Sequence, residues 1–227
     1  MITLITALLP ACSRSLNNPI YDARSISIRS PLSSSPLSPS VPRPIHSSQF
    51  FFTGNCFATL HTACPLMAAK IRTMPEESRI DCIAFPDEGA CKRFGGFFSE
   101  EFKSAGIELV TCCKKRNVGA EGRTVEIFDG NPSGKNVLVM DDLIQTGGTM
   151  YEAAAKLKES GAKSVSSFVV HAVFPNEGWK RFTREGDRGA AFTKFWLTNS
   201  NPAVSSSLPV DDIFEVLDLT PQILLDL

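Results

Sequence analysis

Residues Asn136 to Thr149 (Asn-Val-Leu-Val-Met-Asp-Asp-Leu-Ile-Gln-Thr-Gly-Gly-Thr) constrain this chain more than any other stretch. Val137 to Met140 is an unbroken apolar run, the pattern of a strand buried on both faces of a parallel sheet. Asp141 and Asp142 follow at its carboxyl end, where ligands bind in open α/β sheets. Gln145-Thr146-Gly147-Gly148-Thr149 then forms a small glycine-rich turn, and Met150, Ala153, Ala154 and Leu157 mark one face of a helix. Thr149 and Glu152 have the spacing of a capping box, and Gly161 suits the residue that ends the helix. Glycines let the backbone approach a ligand, and the turn and helix N–H groups favour an anion such as a phosphate. Two neighbouring carboxylates suit either the hydroxyls of a polyol such as ribose or a Mg²⁺ ion.

The same design occurs earlier. Ile80 to Phe85 reads as a strand ending in Pro86-Asp87-Glu88-Gly89, with a helix after it carrying Ala90, Phe94 and Phe97. Asp87 is thus a second carboxylate at the end of a strand with a glycine close behind. Ile107 to Cys113 reads as a further strand running into Lys114-Lys115-Arg116 and a glycine-containing polar loop, residues 117 to 123. Cations on a mobile loop there would suit a polyphosphate, because phosphoryl transfer needs positive charge against the transferring group. Thr124 to Asp129 is the returning strand. Gly130 to Lys135 has three residues between its glycines and Asn136 after the lysine, so it is a turn and not a P-loop. Pro65 to Ile71 and Trp179 to Thr183 read as short helices. Ser164 to Phe174, Phe192 to Thr198 and Ile213 to Leu217 read as strands, and Pro221 to Leu227 as a closing helix or turn. Strands alternating with helical patterns predict an α/β fold, a three-layer sandwich around a mostly parallel sheet.

Composition sets the outer limits. The net charge of −1 argues against broad nucleic-acid binding, and no apolar run approaches the length of a membrane-spanning helix. Charge is uneven: residues 1–74 carry +5 and the remainder −6. The first part is also rich in Ser and Pro, with Arg14, Arg24, Arg29 and Arg43 spread through it. Residues 1–64 therefore read as a disordered or targeting extension, with a plastid or mitochondrial transit peptide as one reading, and residues 65–227 as the folded domain. Seven scattered cysteines without a C-x-x-C pair argue against a disulfide framework or zinc site, and Cys112-Cys113 reads as a pair of half-buried strand residues.

Val-Met-Asp-Asp-Leu-Ile-Gln-Thr-Gly-Gly-Thr, and Ala84 to Phe94, resemble the plant-type ribose-phosphate pyrophosphokinases (synthetases of phosphoribosyl pyrophosphate, PRPP), which have the type I phosphoribosyltransferase fold. The resemblance covers about residues 65–227 and corresponds to the C-terminal half of such an enzyme. It implies transfer of pyrophosphate from Mg-ATP to ribose 5-phosphate. Asp141, Asp142, Gln145, Thr146, Gly147, Gly148 and Thr149 would hold the sugar phosphate. Lys114 and Arg116, matching the family's Lys-x-Arg loop, would be catalytic, with Arg116 also touching substrate. Asp87 would contact the Mg²⁺ that accompanies ATP. His171, in a stretch similar to the family's Thr-His-Gly-Ile-Phe-Pro, reads as structural or as a neighbour of the pocket. The family's upstream ATP-base contacts and metal-binding histidine have no counterpart here, so the chain alone is expected to make little PRPP. Two other readings stand beside this one: a non-catalytic subunit that binds ribose 5-phosphate, and a phosphoribosyltransferase that consumes PRPP. The family also implies a homo-oligomer or an assembly with a full-length synthetase, and a cytoplasmic default location.

Overall fold

The computed structural model describes residues 4–8, 57–116 and 123–224. Most of the Ser/Pro-rich segment and the 117–122 loop lie outside these residues, so the expectations placed on them concern other parts of the chain. Strands β1 (Leu4–Leu8) and β2 (Phe57–His61) pair antiparallel, Leu4 opposite His61. Both segments lie within residues 1–64, read from sequence as a disordered or targeting extension. Both are apolar or β-branched in the main, which is what a ladder requires. They belong to a unit separate from the one that carries the site.

The main unit is a seven-stranded sheet in the order β5-β4-β3-β6-β7-β8-β9. Its strands are β3 (Cys82–Phe85), β4 (Glu108–Arg116), β5 (Arg123–Asp129), β6 (Asn136–Ile144), β7 (Ser164–Ala172), β8 (Phe195–Thr198) and β9 (Phe214–Leu217). Every neighbouring pair is parallel except β4–β5, an antiparallel hairpin at one edge. β6 is the central strand, and Val137, Leu138, Val139 and Met140 are fully buried, as their unbroken apolar run predicts.

Helix α1 (Cys64–Arg72) precedes the sheet. After β3 come α2 (Glu88–Ala90), a π turn (Cys91–Gly95) and α3 (Gly96–Glu101), joined end to end. Ala90, Phe94 and Phe98 are buried at successive spacings of four, while Phe97, which the sequence put on the same helix, is half-buried. Helix α4 (Gly148–Glu159) follows β6. Its Met150, Ala153, Ala154 and Leu157 join one core cluster with Cys82, Ala84, Val137, Val139, Val165 and Val169. Leu138 and Met140, one residue out of phase, are buried outside that cluster, as expected for a sheet covered on both sides. The α4 helix ends as foreseen: Gly161 has φ +90°, with bonds from Ala162 N–H to Leu157 O and Gly161 N–H to Lys158 O. Cys112 is buried and Cys113 half-buried on opposite faces of β4, and burial pushes the Cys112 thiol up to about 11, which leaves it inert.

Candidate functional site

The chain reverses its direction of travel across the sheet between β3 and β6. It runs outward through β4 and β5 on one side, returns to β6, and continues outward through β7 to β9 on the other. Such a switch point opens a crevice at the carboxyl ends of the two central strands. Asp87 follows β3, and Asp141 and Asp142 lie in the last part of β6. Here β6 runs further than its apolar residues suggested, to Ile144, because pairing with β7 continues through Asp141–Val169 and Leu143–His171.

Alternation sends Asp141 and Asp142 to opposite faces. The Asp142 N–H donates to Asp141 Oδ1 at 2.9 Å. Asp141 has its carboxyl pushed from 3.8 up to about 7, first by burial, with the charges of Asp142 and Asp87 adding to it. Asp142 is only 8 % exposed and forms an ion pair with Arg93 Nη1 from the π turn. It is therefore a structural partner as well as a candidate for the sugar. Arg93 received no role from sequence, although it sits inside the Ala84–Phe94 stretch. Asp87 caps α2: its Oδ1 accepts the Ala90 N–H at 2.9 Å. Among the described residues no three His, Cys, Asp or Glu side chains converge as a metal cluster.

The turn after β6 departs from its expected form. Helix α4 begins after Gly147, which has φ +71°, and no side chain caps it. The capping box read from Thr149 and Glu152 does not form: Thr149 lies inside the helix, and its Oγ1 accepts from Lys114 Nζ at 3.0 Å. The N–H groups of the first turn are thus left without a side-chain acceptor, as an anion site requires. Gly147 is buried. A Cβ there would overlap the Phe182 ring, with Cε2 2.7 Å away. Packing and a left-handed backbone therefore demand glycine there. Gly148 is the open position, since a Cβ would find nothing nearer than Thr146 Oγ1 at 3.9 Å. Gln145 and Thr146 are exposed beside it.

Lys114 was expected in a loop. It lies on β4, which extends to Arg116 and pairs with β5 as far as Arg123. A register shift at Thr111/Cys112 marks the start of this hairpin. The structure brings exposed Lys114 from the sheet edge to the first turn of α4, and places the backbone of Arg116 two residues further along the same strand.

His171, opposite Leu143, shares a hydrogen bond of 2.9 Å between Nδ1 and Ser200 Oγ. Ser200 Oγ also donates to Val170 O, so the chain of bonds is complete when His171 Nδ1 carries the proton. Nε2 is then a buried acceptor with no partner among the described residues. Burial holds the imidazole below its ordinary pKa, and the Asp142 charge opposes this in part.

The phosphoribosyl transferase domain family matches residues 98–184. Ribose-phosphate pyrophosphokinase 4 of Oryza sativa subsp. japonica is 38 % identical over 183 residues, 79 % of this chain and 54 % of that protein. Ribose-phosphate pyrophosphokinase 3, mitochondrial, of Spinacia oleracea is 34 % identical over 183 residues, 79 % of this chain and 43 % of that one. The crystal structure of phosphoribosylpyrophosphate synthetase from Mycobacterium smegmatis superposes with a TM-score of 0.53 at 25 % identity, covering 70 % of this chain and 47 % of that one. The chain spans about half the length of the curated relatives it matches.

Proposed function

We propose that this chain, a relative of the ribose-phosphate pyrophosphokinases, binds ribose 5-phosphate at the 145–149 turn and takes part in moving pyrophosphate from Mg-ATP onto it. The observation that carries this is Lys114 Nζ, 3.0 Å from Thr149 Oγ1 at the uncapped start of α4, the helix that follows the strand bearing Asp141 and Asp142. Backbone N–H groups of Gly148 and Thr149 receive the 5-phosphate, with Gln145 and Thr146 at its rim. Asp141, with Asp142 behind it, accepts from the sugar hydroxyls. In the reaction the anomeric oxygen forms a bond to the β-phosphorus of ATP, the bond from that phosphorus to the α-phosphate oxygen breaks, and AMP leaves. The hydroxyl loses its proton as the new bond forms. Lys114, joined by Arg116 from the same strand, stabilises charge on the transferring group.

The residues fit Mg²⁺ held in part by substrate. That ion prefers one or two carboxylates together with phosphate oxygens and water. Asp87 and Asp141 are close enough for the charge of one to raise the other. When bound, Mg²⁺ would neutralise phosphate charge, with Asp87 as its protein ligand.

Gly148→Ala tests the cradle. The added methyl group meets ordinary van der Waals space in the protein, so the melting temperature should stay within about 2 °C of wild type. It would stand where the phosphate approaches, and calorimetry should show ribose 5-phosphate affinity falling about tenfold or more. Unchanged affinity would remove the turn as the phosphate site. AMP release from Mg-ATP and ribose 5-phosphate then separates an enzyme from a chain that only binds.

A further inference from the structure

We infer that Arg188 is a positioning residue for the 145–149 turn, holding it from behind in the form that presents its N–H groups to the phosphate. The inference rests on the reading of that turn as the ribose 5-phosphate cradle. Arg188 is far from the turn in sequence and belongs to no motif. Its Nη1 donates to the Thr146 carbonyl oxygen at 3.2 Å. The guanidinium lies over two rings, 5.0 Å from the centroid of Tyr151 on α4 and 5.7 Å from that of Phe182. Phe182 is fully buried, and its ring fills the space that Gly147 leaves by having no Cβ. One cation therefore touches the turn, the helix that follows it and the ring packed beneath it.

Arg188 is itself held in place. Its N–H donates to Arg181 O at 2.8 Å, and Arg181 makes two bonds to Asp187, from Nε at 3.1 Å and Nη2 at 2.6 Å. Lys158 on α4 donates to Ala190 O at 2.5 Å, which ties the far side of the same loop to the helix.

The bond to Thr146 O has a directional consequence. A carbonyl drawn toward Arg188 turns the peptide plane between Thr146 and Gly147 away from the ligand side. The left-handed Gly147 then starts α4 with the N–H groups of Gly148 and Thr149 at its open end. Without the donor, the Thr146–Gly147 peptide could rotate toward the ligand side and place an oxygen against an anion. Preorganised donors lose their advantage when they must first be ordered.

The test uses the full chain with Arg188→Met and Arg188→Lys. Methionine keeps apolar cover over Tyr151 and Phe182 but has neither donor nor charge. Lysine restores both in part. In ligand-free protein, amide hydrogen exchange at Tyr151, whose N–H donates to Gly147 O at 3.0 Å, should quicken about tenfold in Arg188→Met, while β3 and β7 amides stay as in wild type. Ribose 5-phosphate affinity should fall about tenfold, and Arg188→Lys should recover at least half of both losses on a logarithmic scale. A role in general stability alone would quicken exchange across the sheet and show no selective rescue, and that result overturns the inference. So does unchanged exchange at Tyr151, whatever the affinity. Failure of wild type to bind ribose 5-phosphate instead overturns the proposed function, while exchange in the free protein still decides whether Arg188 holds the turn.

Discussion

Asp141→Asn should make the protein more stable and less able to bind its ligand. Burial, and the nearby charges of Asp142 and Asp87, raise the Asp141 carboxyl from 3.8 to about 7. The folded state then binds this proton more tightly than the unfolded state. The contribution of Asp141 to stability is fully present below pH 3.8, falls as pH rises, and is lost above about pH 7. One proton of difference is worth about 1.4 kcal/mol for each pH unit, which sets a ceiling of about 4 kcal/mol over that interval. The neighbouring carboxylates share the repulsion and the group is partly solvated, so about 1–2 kcal/mol is the expected measured effect. Asparagine keeps the shape and can still accept the Asp142 N–H, so no packing penalty should offset the gain. For a domain of this size the melting temperature should rise by about 2–8 °C at pH 8. Thermal melts of both proteins from pH 4 to pH 9 should show curves that coincide near pH 4 and separate until about pH 7. Calorimetry at pH 8 should show weaker ribose 5-phosphate binding by the stabilised variant. Melting curves that coincide at every pH, or a gap that is widest in acid, would refute the reasoning.

Gly147→Ala should destabilise by about 2–4 kcal/mol, from a left-handed backbone and overlap with Phe182, so denaturant midpoints should fall even without ligand. A normal midpoint would mean that the ring and the turn are not packed as described. Arg93→Met should cost about 3 kcal/mol by leaving the Asp142 charge buried without its cation, and adding Asp142→Asn should recover most of that loss. Additive costs in the double-mutant cycle would show that the two side chains do not act as a pair.

The positions of the sequence-derived elements follow from local periodicity. The apolar run at Val137–Met140, the turn after it and the α4 face all repeat at the spacing of a strand or a helix, and that spacing is visible without any partner. Gly161 was legible for the same reason, since a helix end is decided within a few residues. Other assignments failed where a distant group intervened. Thr149 was assigned as a cap, but Lys114, 35 residues away, takes its hydroxyl. Phe97 was read on the helix with Ala90 and Phe94, but Phe98 is the residue that packs inside with them. Gly147 was read as letting the backbone approach a ligand, and nothing in the sequence signalled that the Phe182 ring also needs the space a Cβ would fill.

By itself, then, the sequence determined that a buried strand ends in two carboxylates and a glycine turn leading into a helix. The tertiary structure decided that β3 and β6 are neighbours, so that the charges of Asp87 and Asp141 reach one another, that Arg93 pairs with Asp142, and that Lys114 and Arg188 bond to the start of α4 and the turn before it. The physical reason is the parallel sheet. Its crossovers join residues separated by 35 to 49 positions in these contacts, and no local period records which strand will lie beside which.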